Sequence, residues 1–158
     1  MQYIQTPHDA ELNAAEVMKA WGFGDAVATT GGADGGIDVR SKRALAQVKW
    51  RGGLVGRPEV QQLYGARGTG DELLFFFAAS GYSEQAVKYA DQVGVSLFTY
   101  DPIGLCVPVN VTASRFADGV ASGLSPSGGG GADMKFVLQL LTLLIALVAA
   151  TTLLFLFV

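Results

Sequence analysis

The sequence predicts an α/β domain built on a mixed sheet flanked by helices, in the order α β β β α β α β, followed by one C-terminal transmembrane helix. Three observations lead there. Short β-prone runs with a period of two crowd the stretch between residues 26 and 50, as antiparallel neighbours do. Two later apolar runs, LLFFFA and VSLFTY, are each preceded by a helical stretch, as strands in a parallel arrangement are. The segment from Phe136 to Val158 carries no charge at all.

Residues 8–21 read as the opening helix. Asp9 offers an N-cap, Leu12, Ala15 and Met18 recur at helical spacing, and Gly22 ends the run. AVATT follows as a short strand between Gly24 and the Gly31-Gly32 pair. Residues 36–40 and 44–50 then alternate polar and apolar and read as a hairpin turned by Ser41-Lys42-Arg43. Arg57-Pro58-Glu59 opens a second helix, because proline suits a first turn. LLFFFA is continuously apolar, which suits a strand covered on both faces. Ser83 is placed to cap a third helix. VSLFTY is the last expected strand, stopped by Asp101-Pro102.

The expected organisation is a folded domain over residues 1–116, a Gly/Ser-rich tether over 117–133 and a membrane span over 134–158. Roughly 23 uncharged residues at about 1.5 Å each give about 34 Å of helix, enough to cross a bilayer core. The alternative is a buried apolar helix, which is usually shorter and keeps a polar face. The opening MQYIQTPHDAELN has neither a basic nor an apolar leader region, so no secretory signal is expected. Lys135 beside the span favours a cytoplasmic domain on a single-pass anchor. The single cysteine, Cys106, excludes an intramolecular disulfide and a cysteine-cluster metal site.

The net charge of −3 hides a local excess of the opposite sign. Arg40, Lys42, Arg43, Lys49, Arg51, Arg57 and Arg67 supply seven of the 11 basic residues, and within that stretch only Glu59 opposes them. An anionic partner such as nucleic acid accounts for the patch; an ordinary solvated surface is the alternative.

Parity along the hairpin assigns its faces. Ile37 and Val39 are expected to share an apolar side with Ala46, Val48 and Trp50, leaving Asp38, Gln47 and Lys49 on the other. A turn centred on Lys42-Arg43 sets residue 38 against residue 47, with Cβ atoms ~5 Å apart. A carboxylate and an amide oxygen are hard ligands suited to Mg²⁺, and a neighbouring lysine can act on a metal-bound water. Glycines at 31, 32, 35 and 36 would leave the backbone open to a bulky substrate. An exposed Asp–Lys ion pair, worth under ~1 kcal/mol, is the plainer account of the same residues.

These stretches also resemble a known family. GGADGGID followed by QVK is similar to the catalytic domain of the Mrr-type restriction endonucleases, a branch of the PD-(D/E)xK nuclease superfamily in which glutamine replaces the usual glutamate. AELNAAEVMKAWGFG resembles the family's opening helix, GRPEVQQLYGA the helix after the motif, and FFFAASGYSEQAVKYADQVGVSLFTYDPIGL the remaining strand, helix and strand. The resemblance covers roughly residues 9–105 in consistent order. It implies a restriction-endonuclease-like fold, with Asp38 and Gln47 as metal ligands and the Val48 carbonyl completing the set. It also implies that Lys49 acts on the attacking water, Glu11 supports the metal through water, and Asp34 shapes the turn or holds a second metal. Fuller members carry a separate DNA-reading domain, which is not expected here.

The resulting expectation is a membrane-anchored endonuclease using Mg²⁺ or Mn²⁺ to hydrolyse phosphodiester bonds, with restriction of foreign DNA as the role the resemblance implies. Arg40, Lys42, Arg43, Arg51 and Arg57 would bind DNA, and double-strand cleavage would call for a homodimer or a second encounter. A silent DNA-binding module tethered to the membrane, and a junction-resolvase-like nuclease acting on branched substrates, stay open as alternatives.

Overall fold

In the computed structural model, residues 3–29, 36–50 and 52–123 are described. They form α1 (Pro7–Ala20), β1 (Val27–Ala28), β2 (Val39–Arg40), β3 (Ala44–Lys49), α2 (Arg57–Ala66), β4 (Leu73–Ala78), α3 (Glu84–Val93), β5 (Val95–Tyr100), β6 (Cys106–Pro108) and α4 (Val111–Ala121). The strands lie in one six-stranded sheet in chain order. Pairing is antiparallel from β1 through β3, parallel from β3 through β5, and antiparallel again between β5 and β6. The mixed sheet read from the sequence is therefore present, with one more strand and one more helix than expected.

Burial on both faces explains the sheet's composition. Phe75 and Phe77 of β4 pack with Phe98 of β5, the alanines of α1, and Trp21 and Phe116. The Trp21 ring lies 4.7 Å from that of Phe98 and 5.2 Å from that of Phe116, inside the range where aromatic pairs attract. Phe76 points the opposite way, into a second cluster with Val60 and Leu63 of α2, Ala86 and Ala90 of α3, and Leu45, Leu74 and Leu97. Three consecutive phenylalanines thus fill two cores.

Local signals set the helix ends. Ser83 caps α3 as expected, its hydroxyl accepting from the Ala86 N–H. The cap of α1 differs from expectation. Thr6 takes the role, accepting from the Asp9 N–H at 3.1 Å while the Asp9 carboxylate accepts from the Thr6 N–H at 2.9 Å. Asp9 is thus the third residue of a helix that begins with Pro7, and it closes a reciprocal capping box with Thr6. These bonds hold its carboxyl below its ordinary value.

The elements beyond Tyr100 depend on one buried amide. Asn110 accepts from the N–H groups of Leu97 and Ala113 and donates to the Val95 carbonyl at 2.8 Å. It caps α4 and ties that helix to β5. α4 continues to Ala121, so the start of the expected tether is helical, anchored by Phe116 in the aromatic core. On β6 the Val109 N–H bonds back to Leu97, which turns the backbone of Pro108 to the open edge of the sheet. Among the described residues no helix is long and apolar enough to cross a membrane. The expected span over 134–158 lies outside the described residues.

Asn110→Ala removes the cap and leaves the Leu97 N–H and Val95 carbonyl buried without their partner. The expected loss is about 3 kcal/mol of stability, read as a lower urea midpoint with an unchanged slope.

Candidate functional site

β3 is central in the sheet, and its C-terminal end meets the place where β2 begins. The register pairs Val39 with Ala46 and Arg40 with Leu45, so the next position sets Asp38 against Gln47, as the hairpin reading expected. The regular ladder gives way there. The Asp38 N–H bonds the Ala46 carbonyl at 2.8 Å and its own carbonyl accepts from Thr29. The Val48 N–H is taken instead by the Asp38 side chain, Oδ2, at 2.7 Å. That short contact fixes the carboxylate at the peptide joining Gln47 to Val48.

This irregularity corrects one expectation. Ile37 and Val39 do not share a face: Val39 packs with Ala44 and Ala46 toward α1, whereas Ile37 packs with Leu45 toward α2. Parity holds only along a regular strand, and here β2 starts at Val39, after Asp38 has bonded with its side chain and Gly36 has taken a positive φ of 84°.

Gln47 and Lys49 project from β3 on the side of α2. The Gln47 amide lies over Gly36 so closely that a Cβ there would stand 2.9 Å from Nε2. The positive φ favours glycine at that position, and a larger residue would also push the Gln47 amide aside. Gln47 Oε1 is buried and has no hydrogen-bond partner. A buried amide oxygen left unpaired is costly and calls for an ordered water, an ion or a functional role; Arg67 Nε and Glu72 Oε2 are buried without a partner too.

Lys49 is held from several directions. Its Nζ bonds Glu59 Oε1 of α2 at 2.7 Å, and the other oxygen of Glu59 accepts from the Gly56 N–H at 2.8 Å. The Lys49 carbonyl accepts from the Ala79 N–H and the Tyr100 hydroxyl. The ammonium of Lys49, followed by the Gly56 N–H, holds the Glu59 carboxyl below its ordinary value. The segment after Lys49 is laced to the loop after β4: Val55 donates to Gly81, Ser83 donates to Val55, and the Ser80 hydroxyl donates to Gly52. These bonds seat the first turn of α2, and with it Glu59, at the end of β3.

The donor set present is a carboxylate, an amide oxygen without a partner, and the Val48 carbonyl, which leaves β3 on the same edge as the N–H bound to Asp38. These are hard oxygen donors, and they fit a small divalent cation that keeps several waters. Among the described residues no group of three or more His, Cys, Asp or Glu side chains comes together to hold a metal, so a cation here would depend on this mixed set. Cys106 is no rival nucleophile, since burial, then Asp101, pushes its thiol up to about 12.

The remaining candidates are dispersed. The Glu11 carboxylate pairs with His8 at 3.2 Å. Asp34 and Arg51 lie outside the described residues. Arg57 opens α2, two residues from Glu59. Lys42 and Arg43 sit at the other end of β3, about 20 Å from Lys49 at the rise of a strand. There the Lys42 backbone binds Asp25, and Arg43 donates to the Gly22 carbonyl at 2.7 Å with its guanidinium 5.0 Å from the Phe23 ring. Among the described residues, Lys42 and Arg43 thus lie at one end of β3 and Lys49 at the other, with Arg57 opening α2. Glu59 and Gln62, whose amide reaches Gly36 beside that of Gln47, were not foreseen. The signal for Glu59 was its isolation as the one acid within the basic stretch.

No curated protein and no solved structure matches the chain. A family model does: Mrr_cat, described as restriction endonuclease, matches residues 4–103, which spans α1 to the turn after β5 and includes the whole cluster around Asp38. A restriction endonuclease domain is a nuclease domain and has DNA as its substrate. The chain belongs to the Mrr_cat restriction endonuclease family.

Proposed function

We propose that this chain is a Mg²⁺-dependent DNA endonuclease that hydrolyses phosphodiester bonds at the end of β3. The supporting observation is the buried, partnerless Oε1 of Gln47 beside a carboxylate fixed on the neighbouring peptide. Asp38, Gln47 and the Val48 carbonyl would hold the cation. When bound, that cation would supply charge to offset the negative charge growing on the phosphate and would lower the pKa of a bound water. Mn²⁺ offers the same chemistry.

Lys49 works beside them. Its ammonium has three protons, one directed at Glu59, which leaves donors for the attacking water and a phosphate oxygen. The water oxygen bonds phosphorus and releases a proton to solvent, the bond to the leaving sugar oxygen breaks, and that oxygen takes up a proton from solvent. Glu59 is a positioning residue: it fixes the lysine head and ties it to the first turn of α2. Glu11 would act only through water. One such site cuts one strand, so double-strand cleavage calls for two copies or two encounters. The uncharged C-terminal segment would anchor the domain at the cytoplasmic side of a membrane, where restriction of incoming DNA is a fitting role.

The full-length chain with Mg²⁺ is expected to convert supercoiled plasmid to nicked or linear forms. Chelator should stop the reaction, and Asp38→Ala and Lys49→Ala should each reduce it by about 100-fold or more. Parent and variants leaving plasmid equally intact would reduce the chain to a DNA-binding module. Calorimetric titration with Mg²⁺ should give a binding isotherm for the parent and none for Asp38→Asn.

The Lys49–Glu59 pair has a pH signature. Glu59 titrates below its ordinary value of 4.5, so its contribution to stability is full above that value and is lost as pH falls through the lowered one. Glu59→Gln should therefore lose less melting temperature than the parent between about pH 7 and about pH 3.

A further inference from the structure

Beside the site, the first turn of α2 and the outer side of α3 enclose a groove of about 340 Å³ lined by Arg57, Gln85, Lys88, Tyr89 and Gln92. The four residues from α3 fall at i, i+3, i+4 and i+7, so they form one stripe along the helix. Every lining side chain ends in a polar group, two are cations, and none is a carboxylate. Among the described residues neither Arg57 nor Lys88 has a carboxylate partner, unlike Lys19 and Lys49, which are paired with Glu16 and Glu59.

Arg57 is also preorganised. Its guanidinium lies 4.8 Å from the centre of the Tyr89 ring, and Tyr89 itself packs against the core under α3. Stacking in this way holds the guanidinium in place while leaving its N–H edge available. Two cations in an open groove, without carboxylate partners among the described residues, suit a polyanion. From Gln85 to Gln92 the stripe runs about 10 Å, long enough for two successive phosphates of one strand. Its α2 end shares the first turn of that helix with Glu59, which holds Lys49.

We propose that this groove carries the sugar–phosphate backbone of the DNA strand leading into the site, with Arg57 and Lys88 on successive phosphates and Gln85 and Gln92 hydrogen-bonding beside them. The proposal rests on the nuclease reading and adds a path for the substrate.

The test uses the full-length chain carrying Asp38→Asn, which prevents cutting, and a fluorescein-labelled duplex read by anisotropy between about 50 and 200 mM salt. Lys88→Ala and Arg57→Ala are each expected to lower the slope of log affinity against log salt by about 0.9, and the pair by about 1.8. Lys88→Arg should keep the parent slope. Lys88 is exposed and alanine favours helices, so Lys88→Ala decides the matter if the Arg57 variant is unstable. A parent slope in Lys88→Ala overturns the proposal. So does inorganic phosphate displacing the duplex at concentrations where sulfate does not, which would make the groove a site for a free ion. Cleavage of plasmid by the chain with native Asp38, together with unchanged slopes in the variants, removes the groove and keeps the nuclease. A lowered slope with no cleavage does the reverse.

Discussion

The hydrogen bond from the Val48 N–H to the Asp38 carboxylate organises this end of the molecule. A strand in the middle of a sheet normally receives backbone partners along both edges. Here a side chain takes over the last position, and the neighbouring strand departs from regular pairing where it does so. One short contact therefore does two things. It satisfies a backbone donor that the shortened β2 would leave open, and it brings a negative charge to the peptide between Gln47 and Val48. A carboxylate fixed by backbone is positioned without help from other acids, and among the described residues no group of three or more His, Cys, Asp or Glu side chains comes together.

The rest of the domain keeps that end of β3 rigid. β3 is flanked on one side by β2 and on the other by β4, whose three phenylalanines bury both faces of the sheet. The Tyr100 hydroxyl and Ala79 N–H grip the Lys49 carbonyl, and Glu59 grips its ammonium, so main chain and side chain are both set. The Tyr100 hydroxyl is pushed up to about 12, mainly by burial, and stays a neutral donor throughout the ordinary pH range. Placing reactive groups at the carboxyl end of parallel strands, with loops stitched over them, is a general solution in α/β folds.

Much of this could be read from residues alone. The opposition of Asp38 and Gln47 followed from counting across a turn, and the burial of LLFFFA on both faces from its lack of polar positions. Ser83 and Pro58 marked their helices through local chemistry that tertiary structure did not override. What escaped was set by longer-range contacts. Ile37 changed face because a side chain interrupted the ladder, which parity counting cannot register. Thr6 displaced Asp9 as the cap because the box needs both residues, with Thr6 at the cap and Asp9 three positions on. β6 and α4 hinged on Asn110, whose three bonds reach 13 to 15 residues back as well as forward. The basic residues looked like one patch in the sequence because the hairpin's two ends are close along the chain and far apart in space. The match to the restriction endonuclease family, covering residues 4–103, agrees with the elements that carried the original resemblance.

The proline at the outer margin of the sheet has its own consequence. Pro108 offers no N–H where a further strand would dock, so a second chain laid alongside would find its register broken at once. Many copies gathered at a surface could therefore collide along this margin without zipping into a continuous ribbon. That break matters at a margin that shows Leu105 and Val107 to solvent nearby.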